Sequence, residues 1–104
     1  MDNIKVLLCC GAGMSSGFLA RNARKVAKKK NLLISIEARS HSEVAEFLQF
    51  IDLLMIGPHY AAELEKYQKL AMPYNVPVVL IPQDVYAQLD GERLIELVVA
   101  NVNK

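Results

Sequence analysis

Long apolar runs are missing from this 104-residue chain. No stretch approaches the roughly 20 consecutive apolar residues of a membrane-crossing helix, and the first residues lack the basic start, apolar core and cleavage site of a secretion signal. A cytoplasmic protein is therefore expected. Charge of one sign is also lacking: 12 Lys and Arg stand against 11 Asp and Glu, a net charge of +1. That excludes a strongly basic nucleic-acid or membrane footprint as the main theme. The run Lys28-Lys29-Lys30 is local and suits a solvated helix end, where cations complement the negative pole of the dipole. Cysteine is scarce. The only two, Cys9 and Cys10, are adjacent, so no structural bridge is expected, and a reducing compartment fits. With the two histidines they match no metal-binding spacing, and nothing calls for a cofactor. Internal repeats, linkers and low-complexity tracts are absent as well. What remains, 53% apolar and 22% charged, is the composition of one globular domain spanning 1–104.

Four apolar runs punctuate the chain. Ile4 to Cys9 is nearly all apolar, as a central parallel strand covered on both faces would be. Leu32 to Ala38 alternates towards its end and suits an edge strand, and Leu53 to Ile56 and Val78 to Ile81 supply two more. Between them lie helical patterns. Leu19, Ala23, Val26 and Ala27 recur on one face of the first, from Phe18 to Lys30, with Asn31 as its stop. Ser40 with Glu43 reads as a capping box opening a helix from His41 to about Phe50. Another helix is expected from Tyr60 to about Ala71, stopped by Pro73, and a last one from about Glu92 to Val102. Pro82 to Gly91 holds a loop with room for one helical turn. Alternating strands and helices predict an α/β fold, a single-domain three-layer sandwich with helices on both faces of a four-stranded parallel sheet in the order 2-1-3-4.

The first strand ends in Cys10-Gly11-Ala12-Gly13-Met14-Ser15-Ser16-Gly17. Glycines and serines between a strand and a helix let the backbone curl and turn its N–H groups inward, a nest that fits a phosphate-sized dianion. The same positive field favours thiolate over thiol at Cys10, which is expected to titrate below the ordinary value of about 8.5. Cys10 is thus the candidate nucleophile, and the following residues to Gly17 are the candidate cradle. Gly11, Gly13 and Gly17 would act through their backbones by permitting close approach. Ser15 and Ser16 would either bond phosphate or cap the helix; Met14 would either meet a partner or plug the helix. Ligands of such sheets bind beyond the carboxyl ends of the strands. Pro58 and His59 after the third strand, and Gln83, Asp84 and Tyr86 after the fourth, are the candidate rim.

The segment Leu8-Cys9-Cys10-Gly11-Ala12-Gly13-Met14-Ser15-Ser16 resembles the C-x-A-G-M-S-[ST] loop of enzyme IIB components in the lactose/cellobiose/chitobiose family of the bacterial phosphotransferase system. The likeness extends to Glu37-Ala38, to Leu53 through Gly57-Pro58, and to Tyr86 with Asp90-Gly91. It implies a phosphoryl carrier. A IIA protein phosphorylated on histidine passes the group to Cys10, which passes it to a sugar, a β-linked disaccharide by family habit, held by membrane-embedded IIC. It also implies that the protein visits the membrane through IIC and is a monomer by itself. Cys9, within the strand, would be structural. In one respect the chain departs from the family pattern: Pro82 stands where an acidic residue often follows the fourth strand, with Asp84 the nearest carboxylate.

Two other readings share parts of the pattern. A low-molecular-weight phosphatase uses a similar loop with an arginine six residues after the cysteine, but Ser16 stands there. A flavodoxin-like or receiver-like binding module is the non-enzymatic alternative. A receiver would need an acidic acceptor after the third strand, where Ile56-Gly57-Pro58 lies instead.

Overall fold

Strand β1 (Ile4–Cys9) lies at the heart of the sheet, and its last four residues are fully buried. A computed structural model describes residues 3–9 and 14–102 of the chain. On one side β1 pairs in parallel with β2 (Ile34–Arg39), Ile4 opposite Ile34. On the other it pairs with β3 (Leu53–Ile56), Cys9 opposite Ile56, and β3 pairs with β4 (Val78–Leu80), Ile56 opposite Leu80. All pairs are parallel, and the order β2-β1-β3-β4 is the one expected from the alternation of elements.

The period-two alternation of a strand divides the core between two faces. Val6 and Leu8 join one apolar cluster with α1 (Met14–Lys29) and α5 (Gly91–Val102), through Leu19, Ala23, Leu94 and Val98. Leu7 and Cys9 join the other, with Val44 of α2 (Val44–Phe47) and Tyr67 and Ala71 of α3 (Leu64–Ala71). α4 (Gln83–Ala87) follows β4 and buries Val85 in the first cluster.

Asn31 stops α1 in the left-handed conformation (φ 58°). Its N–H donates to the Lys28 carbonyl and that of Leu32 donates to the Ala27 carbonyl, which together close the helix end. This stop uses the Leu32 N–H, so β2 begins at Ile34 rather than at Leu32. The second helix is shorter than its periodicity suggested. Residues His41–Glu43 form a tight 3-10 turn, closed by the Glu43 N–H on the Ser40 carbonyl, before the four residues of α2. The reciprocal capping box does not form: the Ser40 hydroxyl bonds the Glu43 carboxylate directly (3.2 Å). The helix expected from Tyr60 is likewise divided. Pro58 opens a 3-10 segment through Glu63, broken at Tyr60 (φ −108°, ψ 22°), and regular α-helix starts at Leu64.

Candidate functional site

β1 ends at Cys9, which is wholly buried. The proposed nucleophile Cys10 and the cradle residues Gly11, Ala12 and Gly13 lie outside the described residues. The helix beyond them begins at Met14, four residues before the apolar periodicity becomes visible at Phe18. Met14, Ser15, Ser16 and Gly17 are therefore its first turn. The N–H groups of Met14, Ser15 and Ser16 have no acceptor within the helix, and no acidic residue in that turn offsets the positive pole of the dipole. The capping role suggested for Ser15 or Ser16 is corrected by this start, because both stand inside the helix. Gly17 is exposed, and a methyl group added there would meet nothing within 4 Å, so packing within the protein does not demand glycine.

The turn after β3 is fastened to the end of β1, for the Gly57 N–H donates to the Cys9 carbonyl (2.9 Å). The Ile81 N–H donates in turn to the Ile56 carbonyl (2.8 Å), so the exits of β1, β3 and β4 lie side by side. Four of the five rim residues meet around one cleft of about 280 Å³: Pro58, His59, Gln83 and Tyr86, joined by Ala87. The His59 and Tyr86 rings touch edge to face, their centroids 5.2 Å apart and their planes at 76°. Asp84 is not among the lining residues. Its carboxylate is hydrogen-bonded and ion-paired to Arg93 of α5, which holds it below the ordinary carboxylate range. Nothing in the sequence marked that pair, because nine residues and a turn separate its members. Ala87 carries no chemistry that would single it out.

A second cavity, about 230 Å³, borders the first turn of α1 on the β2 side, lined by Gly17, Ala20, Arg24, Glu37, Ala38 and Arg39. Its arginines are already engaged. Arg24 donates to the Ile36 carbonyl (2.7 Å), and Arg39 pairs with Glu37 (3.2 Å) and lies over the Phe47 ring. Behind the strand end, buried Tyr67 interacts with Cys9. Burial first, and the neighbouring thiol second, push the phenol well above its ordinary pKa.

Residues 5–97 match the family of lactose/cellobiose-specific IIB subunits of the phosphotransferase system (PTS). The chain belongs to that family. This IIB subunit is 29% identical to the oligo-β-mannoside-specific EIIB component of Bacillus subtilis (strain 168), over 88% of its own length and 89% of the relative's. Its fold is shared by the cellobiose-specific IIB component of Borrelia burgdorferi, with a TM-score of 0.81 and 27% identity over 98% of this chain and 94% of that one. A lactose-specific EIICB component of Lacticaseibacillus casei is 23% identical over 97% of this chain, which accounts for 18% of that longer protein. The IIB subunit is thus a phosphotransferase component of lactose/cellobiose-type sugar transport, and the EIICB relative supports a IIC protein as its partner. Among the described residues no helix is long and apolar enough to cross a membrane.

Proposed function

We propose that Cys10 carries the phosphoryl group. The observation behind this reading is the position of Cys10, directly after the buried end of the central strand and four residues before a helix whose first turn has N–H groups without an acceptor in the helix and no acidic side chain. The Cys10 thiolate attacks phosphorus on the phosphohistidine of a IIA protein; the S–P bond forms as the N–P bond breaks, and the imidazole leaves. The cradle Gly11, Ala12, Gly13, Met14, Ser15, Ser16 and Gly17 offers backbone N–H groups to the phosphoryl oxygens, where charge must be stabilised during transfer. In the second step a hydroxyl oxygen of the IIC-bound sugar attacks phosphorus, the S–P bond breaks, the thiolate is restored, and the hydroxyl proton passes to water.

The acceptor is a β-linked disaccharide or a close analogue, in keeping with the oligo-β-mannoside, cellobiose and lactose specificities of the relatives. The protein acts as a single IIB domain over 1–104, as a monomer, on the cytoplasmic side of the membrane where IIC presents the sugar. The test is phosphate uptake from phosphorylated IIA by two variants. Cys10→Ser is expected to take up none while keeping the fold, and Cys9→Ser to take up a full equivalent. Acid-labile, thiophosphate-type incorporation persisting in Cys10→Ser would refute the assignment.

A further inference from the structure

Direct transfer brings a reacting pair to about 3–3.5 Å. A phosphoryl group bridging sulfur and oxygen leaves two bonds between the cysteine and the accepting hydroxyl. The sugar ring bearing that hydroxyl must then lie against the protein surface within about one ring's breadth of Cys10. Neighbouring strands are about 4.8 Å apart, so the surface within reach is that of the turns leaving β2 and β3 and whatever flanks them.

These two sides differ in chemistry. On the β2 side the cavity is walled by Arg24, Glu37 and Arg39, whose polar ends are bound to one another or to the Ile36 carbonyl. On the β3 side the cleft of about 280 Å³ presents the Gln83 amide and the His59 imidazole, both exposed, and the Tyr86 ring as an apolar wall. Among the described residues the Gln83 side chain makes no hydrogen bond, and the His59 ring is held only by its edge contact with Tyr86. An aromatic wall with amide and imidazole groups beside it suits a pyranose, whose C–H face packs on a ring while its hydroxyls find donors and acceptors. The volume falls just under the roughly 300–1,000 Å³ typical of pockets for drug-sized ligands, which leaves room for a single sugar ring.

Building on the Cys10 reading above, we propose that this cleft receives the accepting ring of the sugar during transfer. His59 and Gln83 then contact ring hydroxyls, and the IIB subunit shares with IIC the choice of sugar.

The test uses the full chain, phosphorylated by IIA, in single-turnover transfer to membranes holding the cognate IIC. The acceptors are the best of cellobiose, lactose and mannobiose, and the monodeoxy analogues of its accepting ring. His59→Ala and Gln83→Ala are expected to accept phosphate from IIA at the wild-type rate but to pass it to the parent sugar about fivefold more slowly, as the loss of one hydrogen bond implies. For each variant one deoxy analogue should show no further loss, because the hydroxyl it lacks is the one the side chain contacted. If deoxygenation at every ring position costs both variants as much as it costs wild type, the sugar does not enter the cleft. Equal slowing of uptake and transfer, or a rise only in the amount of IIC membrane needed, would instead mark a surface for partner proteins and overturn the proposal. Failure of the wild-type protein to take phosphate on Cys10 would fall on the carrier reading itself.

Discussion

Tyr67 is the largest of the fully buried side chains, and its hydroxyl is shut away from water in the layer that also holds Cys9. A thiol is a weak hydrogen-bonding group, so this phenol is poorly compensated for the water it gives up. Two consequences follow for Tyr67→Phe. Stability near neutral pH should hold or rise by about 1 kcal/mol, the cost of a poorly satisfied buried hydroxyl being removed. The pH response should change as well. A phenol whose pKa is raised in the folded protein contributes stability fully below its unfolded value of about 10 and loses it as pH climbs towards the folded value. Urea unfolding between about pH 9 and 11 should therefore show a steep decline for wild type and a shallower one for Tyr67→Phe. An identical decline would mean that this phenol is not the group held neutral by the fold. At this scale the sequence was only partly readable. Cys9 could be recognised as structural because it continues an apolar run, but its neighbour Tyr67 is 58 positions away, and only the fold brings the two together.

Gly91, the first residue of α5, packs directly on the main chain of α1. A methyl group there would sit 2.5 Å from the Asn22 backbone carbon and 2.6 Å from the Ala23 nitrogen. Both obstacles are main chain and cannot rotate aside. The Asn22 amide also donates to the Leu89 carbonyl (2.9 Å), which fixes the approach of α5. Gly91→Ala should therefore destabilise at the upper end of the range for overpacking, by about 3 kcal/mol. Gly17→Ala, in open space within the first turn of α1, should stabilise by about 0.5 kcal/mol through helix propensity. Thermal unfolding of the two variants side by side checks the pair; a tolerated Gly91→Ala would mean that the helices separate at little cost. Helices were legible where apolar residues recur on one face, as in α1 and α5. They were misjudged where backbone chemistry overrides periodicity, as at Pro58 and in the turn closed on Ser40. The start of α1 escaped notice for a related reason. Its first turn, Met14 to Gly17, has no apolar repeat to reveal it, and serine suggests a cap more readily than a helix interior.

At the scale of the whole molecule, the order β2-β1-β3-β4 was readable because short apolar strands alternating with helices admit few right-handed solutions. That topology carries the exits of β1, β3 and β4 to one end, and Cys10 follows the last residue of β1 in the sequence. A phosphatase can share this architecture, so the difference in behaviour must come from what the end of the sheet contains. In a hydrolytic loop an arginine six residues after the cysteine clamps the transferred group; here that residue is Ser16, within the first turn of α1. The nearest carboxylate after β4, that of Asp84, is occupied by Arg93 and held ionised below the ordinary range, which removes it as a proton donor to a leaving group at neutral pH. Backbone N–H groups can hold a phosphoryl group on sulfur, but they do little to recruit a free phosphate ester. A IIB carrier also gains from a slow reaction with water, since the group must survive until IIC docks. Turnover of para-nitrophenyl phosphate should therefore stay near background from pH 5 to about 8, while transfer from phosphorylated IIA proceeds readily. Arg93→Ala, which frees Asp84, should raise the Asp84 pKa towards its ordinary value without creating a phosphatase, because the clamping arginine is still missing. Robust ester hydrolysis by the unmodified protein, abolished in Cys10→Ser, would show that the loop completes the reaction with water and would replace the carrier with an enzyme acting alone.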